Sequence, residues 1–450
     1  MLFALLETDL ISWAWDQFVF FVHEIWRVYV VHFRDRSFLD WTLFFIPFYI
    51  LGEVPRYFFP AIALFFSRLL GLGKSDDLQK RRFWETNPSV SVLLVGYNEE
   101  ESIINAIESL LEFEYENLEI IVIDDHSADG MYAAAKPYAD RGNIKLFRNS
   151  GASGRSGRPV VSNFAFQMSS GDYVLSVDAD TSFDKDALYH MIGPFYDPEV
   201  GAVAGNLKPR NSYENLLTSM QAIEYLQSIS IWKRWLNMLG WNMQASGAFG
   251  AFRREIVEAC GGWDPELAED ADLSLKIKHS GWRIQFAPQA IAMTQVPERW
   301  SVLMLQRYRW DRGMLRTYFR KHVGLMDFRR FDWHNAAEMG IEFIFSILLP
   351  YVYLVWVTYM IVNHFPILLC VWGIVYVLYL LSNLFILTIA LQYSERWRQE
   401  WHLYFPIFAY PLYKSFFRWV RLYALSMEMF RLNYGDSYLP ESAWRNTNKW

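Results

Sequence analysis

The sequence predicts an α/β domain, built on a doubly wound and mostly parallel sheet, flanked by transmembrane and interfacial helices. Three observations predict this. Short apolar runs alternate with helix-periodic segments between residues 87 and 182. Carboxylates gather where those runs end, at Glu99, at Asp124–Asp125, and at Asp178 and Asp180. On either side of this middle lie long stretches dense in Trp, Phe and Tyr.

Composition supports the division. Hydrophobic residues are 53% and charged residues 20%, too apolar for an ordinary soluble chain of 450 residues. The net charge of −7 gives no basic surface for nucleic acid. Two cysteines, Cys260 and Cys370, exclude a disulfide framework and a thiolate metal site. The first residues carry no basic region or small-residue cleavage site, so no removable signal peptide is expected.

The first membrane region is residues 1–75. Ile11 to Phe33 contains Asp16, His23, Glu24 and Arg27, which favours an interface helix over a span. Trp41 to Leu70 is more apolar but is interrupted by Glu53, Pro55 and Arg56, so one or two spans are expected. Lys74, Lys80, Arg81 and Arg82 then place the next region, residues 76–330, in the cytoplasm.

In that region Ser89–Val95 reads as a buried parallel strand. Ser102–Leu111 has helical spacing. Leu118–Ile123 and Ile144–Phe147 are the next strands, with a helix-compatible segment between them. A Gly/Ser/Arg loop, Ser150–Arg158, precedes a helix near Val160–Met168. The loop is not a P-loop; its arginines and backbone N–H groups suit phosphate, and a plain flexible loop is the alternative. The strand Tyr173–Val177 then runs into Asp178-Ala-Asp180. Alternate residues of a strand face one side, so Asp178 and Asp180 can reach one object. A hard divalent cation carrying phosphate oxygens suits such a pair, and an Asx turn is the alternative. In doubly wound sheets ligands bind at the carboxyl ends of the strands, where all these acidic groups lie.

Taken together, Leu94–Glu100, Val122–Ser127 and Val177–Asp180 resemble the nucleotide-sugar half of family 2 glycosyltransferases with the GT-A fold. Gln244–Arg254 resembles the acceptor-side segment of that family. Ala268-Glu-Asp-Ala-Asp272 is similar to its Thr-Glu-Asp motif, with Ala in place of Thr. Gln306-Arg-Tyr-Arg-Trp310 matches Gln-x-x-Arg-Trp, the mark of the processive cellulose, chitin, hyaluronan and poly-N-acetylglucosamine synthases. The likeness spans residues 87–325 and divides them into a nucleotide-sugar half, 87–182, and an acceptor half that continues to 330.

The resemblance implies roles. Tyr97, Glu99, Asp124 and Asp125 would receive the base and ribose. Arg158 stands where many relatives have Lys beside the diphosphate. Asp178 and Asp180 would hold Mg²⁺ or Mn²⁺, with Asp178 also touching the donor. Asp270 would be the general base that takes the acceptor's proton, with Glu269 as its local rival on the acceptor side. An acidic helix start without catalytic work is the alternative for this pair. Trp310 would be a platform for the acceptor sugar, helped by Gln306 and Arg309; interface anchoring is the alternative.

The second membrane region is residues 331–450. Arg312, Arg316, Arg320, Lys321, Arg329 and Arg330 precede it and mark the cytoplasmic side. Phe343–Val362 is long enough to span, Asn363–Pro366 reads as a tight turn, and Ile367–Leu391 is a second span. Leu403–Met429 is apolar but holds Lys414, Arg418 and Arg421, so a span, a re-entrant piece and an interface helix all stay open.

The expectation is an integral protein of the plasma (inner) membrane with a cytoplasmic catalytic domain. It would polymerise a nucleotide sugar, UDP-glucose or UDP-N-acetylglucosamine, into a β-linked glycan and translocate the growing chain. Lipid bilayer and accessory export proteins are the expected partners. The rivals are transfer of one sugar to a lipid carrier, a GDP-mannose-using synthase, and a catalytically silent scaffold.

Overall fold

The computed structural model describes residues 15–46 with breaks, 54–71, 77–149, 155–242 and 244–430. The interface helix expected over Ile11–Phe33 lies partly outside these residues, as do Gly52, Glu53 and Lys74.

An eight-stranded sheet forms the centre, in the order β3-β2-β1-β4-β7-β6-β8-β5. The strands are β1 (Val90–Gly96), β2 (Leu118–Asp124), β3 (Lys145–Arg148), β4 (Tyr173–Asp178), β5 (Ser182–Phe183), β6 (Val200–Pro209), β7 (Phe249–Arg253) and β8 (Arg283–Thr294). The first four are mutually parallel; β7 runs antiparallel between β4 and β6. Both faces are covered, which explains the unbroken apolar runs. Val92 and Leu94 of β1 join one core, and Leu93 and Val95 the other. Each such side chain, fully buried, contributes roughly 1.5–3 kcal/mol.

Register brings the strand ends level. Gly96 lies opposite Asp124, and Val95 opposite Asp178. A side chain at Gly96 would put its Cβ 2.4 Å from Met131 and 2.8 Å from Ala179, so only glycine lets the strand ends pack this closely.

Helix α1 (Ile103–Leu111) buries Ile103, Ala106, Ile107 and Leu110, one stripe at helical spacing. Helices α2 (Met131–Asp140) and α3 (Arg158–Met168) complete the crossovers. The last starts at Arg158, two residues before the position expected from periodicity, because Pro159 fits a helix's first turn. Farther on, α4 (Leu216–Tyr225) opens on a reciprocal Asn215–Thr218 capping box. Helices α5 (Glu269–His279) and α6 (Trp300–Arg316) follow.

Two stretches, Trp333–Phe365 and Ile367–Gln392, are long and apolar enough to cross a membrane. The break expected at Asn363–Pro366 is confined to His364, whose φ of −139° and ψ of 29° leave helical geometry. Tyr353, Val357 and Met360 share an apolar cluster with Ile367, Val371 and Val375, to which Phe44 and Phe45 also belong.

The last described helix, α7 (Tyr410–Met429), lies along α6. Its charges are what dock it. Arg421 pairs with Asp311 at 2.8 Å. Buried Glu428 receives Arg312 at 3.0 Å, Arg316 at 3.3 Å and Arg320 at 2.8 Å. Removing one partner of a buried ion cluster leaves the others uncompensated, at a cost of about 3–5 kcal/mol. Glu428→Gln should therefore lower the unfolding temperature in detergent far more than Arg421→Ala, whose side chain is about one-third exposed. Equal losses in a thermal melt would remove Glu428 from the centre of this interface.

Candidate active site

The site grows from the carboxyl edge of β1, β2 and β4. After β1, Asn98 adopts a φ of 57°, and its side chain accepts from the Ala128 N–H at 2.9 Å. This ties the β1 and β2 loops together. Glu99 accepts from the Ser102 hydroxyl at 2.6 Å, and burial pushes its carboxyl up. Asp124 is fully buried; it accepts from the Ser127 N–H at 2.9 Å and pairs with Arg148 at 3.1 Å. Asp125 accepts from the N–H groups of Ser156 and Gly157, both at 2.9 Å, and from Asn149 at 2.7 Å. Arg155 lies 4.2 Å over the Tyr97 ring.

Asp125 thus fixes the loop that enters α3. Gly157 has a φ of 85°, which a side chain would resist, and this turn delivers Arg158. The Arg158 guanidinium pairs with Asp178, reaches Glu269 at 3.2 Å, and donates to the Gly247 carbonyl at 2.6 Å. Burial pushes the Asp178 carboxyl up to about 6 and the Glu269 carboxyl up to about 7, against the opposing effect of Arg158. Asp180 accepts from Thr181 at 2.9 Å and Thr294 at 3.3 Å, and burial raises its carboxyl too. Arg210 clamps the same turn, donating to the Asp180 carbonyl at 3.1 Å. Behind the turn lies a cavity of about 360 Å³, with Lys208, Arg210, Tyr225 and Arg396 in its walls.

Asp270 opens α5 beside Glu269. One of its oxygens accepts from the Gln244 amide and the Gly247 N–H, both at 3.0 Å. The other accepts from the Ala271 N–H at 2.8 Å. Lys233, lowered to about 8 by burial, sits 3.5 Å from the Gln244 carbonyl.

Arg158, Asp178, Asp180, Glu269 and Asp270 therefore form one cluster, with Glu99, Asp124 and Asp125 at the adjoining strand ends. Arg309 of α6 is close enough to lower the Glu269 carboxyl. Gln306 and Trp310 make no hydrogen bond or ring contact with the cluster among the described residues. Trp310 is 40% exposed, with Arg307 stacked 4.4 Å over its ring. The Gln306 side-chain oxygen is buried and has no hydrogen-bond partner among the described residues. Sequence reasoning missed Lys233, Arg210 and Thr294. It quoted Gln244 and Gly247 within a motif without seeing that they grip Asp270.

The donor set suits a hard cation. Asp178 and Asp180 offer only oxygen, and no group of three or more acidic, His or Cys side chains forms a cage among the described residues. Mg²⁺ and Mn²⁺ in phosphate-handling sites are commonly held this way, by one or two carboxylates with substrate phosphates and water. Around them the cluster presents one guanidinium to an anion and a tethered carboxylate to a proton donor.

Glu269 allows a test of this electrostatic reading without substrate. Its carboxyl rises on folding from 4.5 to about 7, so between those values the folded state binds more protons than the unfolded state. Stability from this group is present at low pH and is lost as pH rises through that window. Glu269→Gln should match the parent's unfolding temperature near pH 4 and exceed it by a growing margin up to pH 8. A difference independent of pH would contradict the burial of this charge.

The sequence matches the family described as glycosyl transferase family 2 over residues 91–261. It is 32% identical over 323 residues to the poly-beta-1,6-N-acetyl-D-glucosamine synthase of Staphylococcus aureus (strain COL), covering 71% of this chain and 74% of that one. It is 34% identical over 244 residues to the probable glycosyltransferase YdaM of Bacillus subtilis (strain 168), covering 51% and 57% respectively. Among solved structures, a mannosyltransferase from Pyrobaculum calidifontis is 20% identical with a TM-score of 0.47, covering 78% of this chain and 97% of that one. With the long match to the staphylococcal synthase beside that of the family itself, the chain belongs to glycosyl transferase family 2 and is a glycosyltransferase.

Proposed function

We propose that this enzyme polymerises N-acetylglucosamine from a UDP donor into a β-linked glycan, processively and with inversion, and passes the chain through its own membrane helices. The observation that carries the reading is the single cluster in which Arg158 joins Asp178 on the donor side to Glu269 and Gly247 beside Asp270. The name of the staphylococcal relative supports the sugar and the β linkage. The two apolar stretches support the membrane location, and the basic residues before them support a cytoplasmic site on the plasma (inner) membrane.

In this reading Tyr97, Glu99, Asp124 and Asp125 line the base and ribose site, directly or by shaping its loops. Arg158 meets the diphosphate. Asp178 and Asp180 would hold Mg²⁺ or Mn²⁺, which when bound offsets the charge of the departing diphosphate. The acceptor hydroxyl attacks the anomeric carbon from the side opposite the diphosphate. Its proton passes to a carboxylate oxygen of Asp270, and the bond to the phosphate oxygen breaks with its electron pair. One direct displacement turns an α-linked donor into a β-linked product. Gln244 and the Gly247 N–H hold Asp270 for that transfer. The Trp310 indole offers a flat apolar face to the acceptor ring, with Gln306 and Arg309 beside it.

Purified enzyme in lipid, given Mg²⁺ or Mn²⁺ and each common nucleotide sugar in turn, should release UDP from UDP-N-acetylglucosamine and yield long polymer. A single-sugar lipid product, or turnover of GDP-mannose alone, would replace this reading. Asp270→Asn should lower turnover by roughly 10²–10⁴-fold with donor affinity nearly intact, as expected for loss of a general base. Trp310→Ala should shorten the product more than it slows donor hydrolysis, and equal losses would remove its platform role.

A further inference from the structure

Arg158 has a second consequence. Its guanidinium holds Asp178 directly, and Asp178 is one of the two carboxylates that suit the cation. The same group is anchored by Glu269 at 3.2 Å and by the Gly247 carbonyl at 2.6 Å. Three anchors on one planar group make it a fixture of the donor-free site. Two cations brought onto one carboxylate repel one another, and an anion placed between them offsets that repulsion. A nucleoside diphosphate is such an anion.

We propose that Arg158 is a resident counter-ion that competes with the divalent cation for Asp178, so that the cation binds tightly only when a nucleoside diphosphate draws the guanidinium away. This rests on the donor site described under Proposed function. It differs from a plain diphosphate clamp in the sign of one effect. Loss of a clamp weakens nucleotide binding and leaves cation binding alone unchanged. Loss of a competitor strengthens cation binding in the absence of nucleotide.

Mn²⁺ binding to the full chain in lipid nanodiscs, followed by the electron paramagnetic resonance of free Mn²⁺ at pH 8, reads this directly. In Arg158→Gln the Kd for Mn²⁺ alone should fall by at least about tenfold, the scale of removing one nearby unit charge from a partly screened site. The gain in Mn²⁺ affinity on adding UDP should shrink in the same variant. Arg158→Met preserves more of the stem volume and should behave like Gln, which covers a failure of either variant to fold. Arg158→Lys keeps the charge and should stay within about threefold of the parent.

An unchanged or weaker Mn²⁺ affinity in Gln and Met would overturn the proposal, as would an equal gain in Lys. Failure of the parent to bind UDP or GDP with Mn²⁺ would instead defeat the donor site itself. UDP binding in the parent without the Mn²⁺ gain in the variants would defeat the counter-ion alone.

Discussion

The constraint on which the site depends is the crowding of negative charge at one sheet edge. Asp178, Asp180, Glu269 and Asp270 converge where β4 ends and α5 begins, and Arg158 lies among them, paired with Asp178 and Glu269 and within electrostatic reach of Asp180 and Asp270. Buried like charges repel strongly unless a counter-ion is fixed between them. Much of the local structure serves to fix it. Asp125 grips the N–H groups of Ser156 and Gly157, and the left-handed turn at Gly157 then starts α3 with Arg158 at its head. A mobile lysine at this place would neutralise charge but could not hold three partners with one rigid plane.

The α6–α7 contact solves a different problem. Apolar helices can slide along one another by a turn, about 5.4 Å, with little change in burial. Arg312, Arg316 and Arg320 stand one helical turn apart, and all three point to one carboxylate. Sliding by a turn would leave a guanidinium facing apolar surface. The register of α6, and with it Gln306, Arg309 and Trp310, is thus set by charge geometry. Of the charges in α7 that weigh against a membrane span in the sequence, Arg421 fastens it to α6 through Asp311, while Lys414 lies over the Tyr57 ring and Arg418 over that of Tyr353.

The sheet was legible because its signals are local. Apolar runs of strand length, helical stripes and acidic run ends all fall within a few residues of one another, and parallel pairing then levels those ends. The residues of the cluster were legible as motifs. Their partners were not. Gln244 meets Asp270 across 26 positions, Thr294 meets Asp180 across 114, and Glu428 meets Arg312 across 116. No periodicity spans such distances, and a lone Gln, Thr or Glu has many ordinary uses. Where a tight turn is expected at 363–366, the helix is interrupted at a single non-helical residue, His364.

The two halves of the site meet at one residue, Gly247. The carbonyl of Gly247 accepts from Arg158 on the donor side, and its N–H donates to Asp270 on the acceptor side. A side chain there would place its Cβ 3.2 Å from the Arg158 guanidinium carbon and 3.3 Å from the Asp270 Cβ, tighter than packing normally allows. Glycine is therefore favoured by approach distance alone, since a Cβ would press on the movable end of Arg158 and this position has no positive φ. Arg158 and Asp270 are thus joined through hydrogen bonds to the two backbone groups of one residue, on adjacent peptide planes, so the place of Gly247 in the chain sets the distance between them.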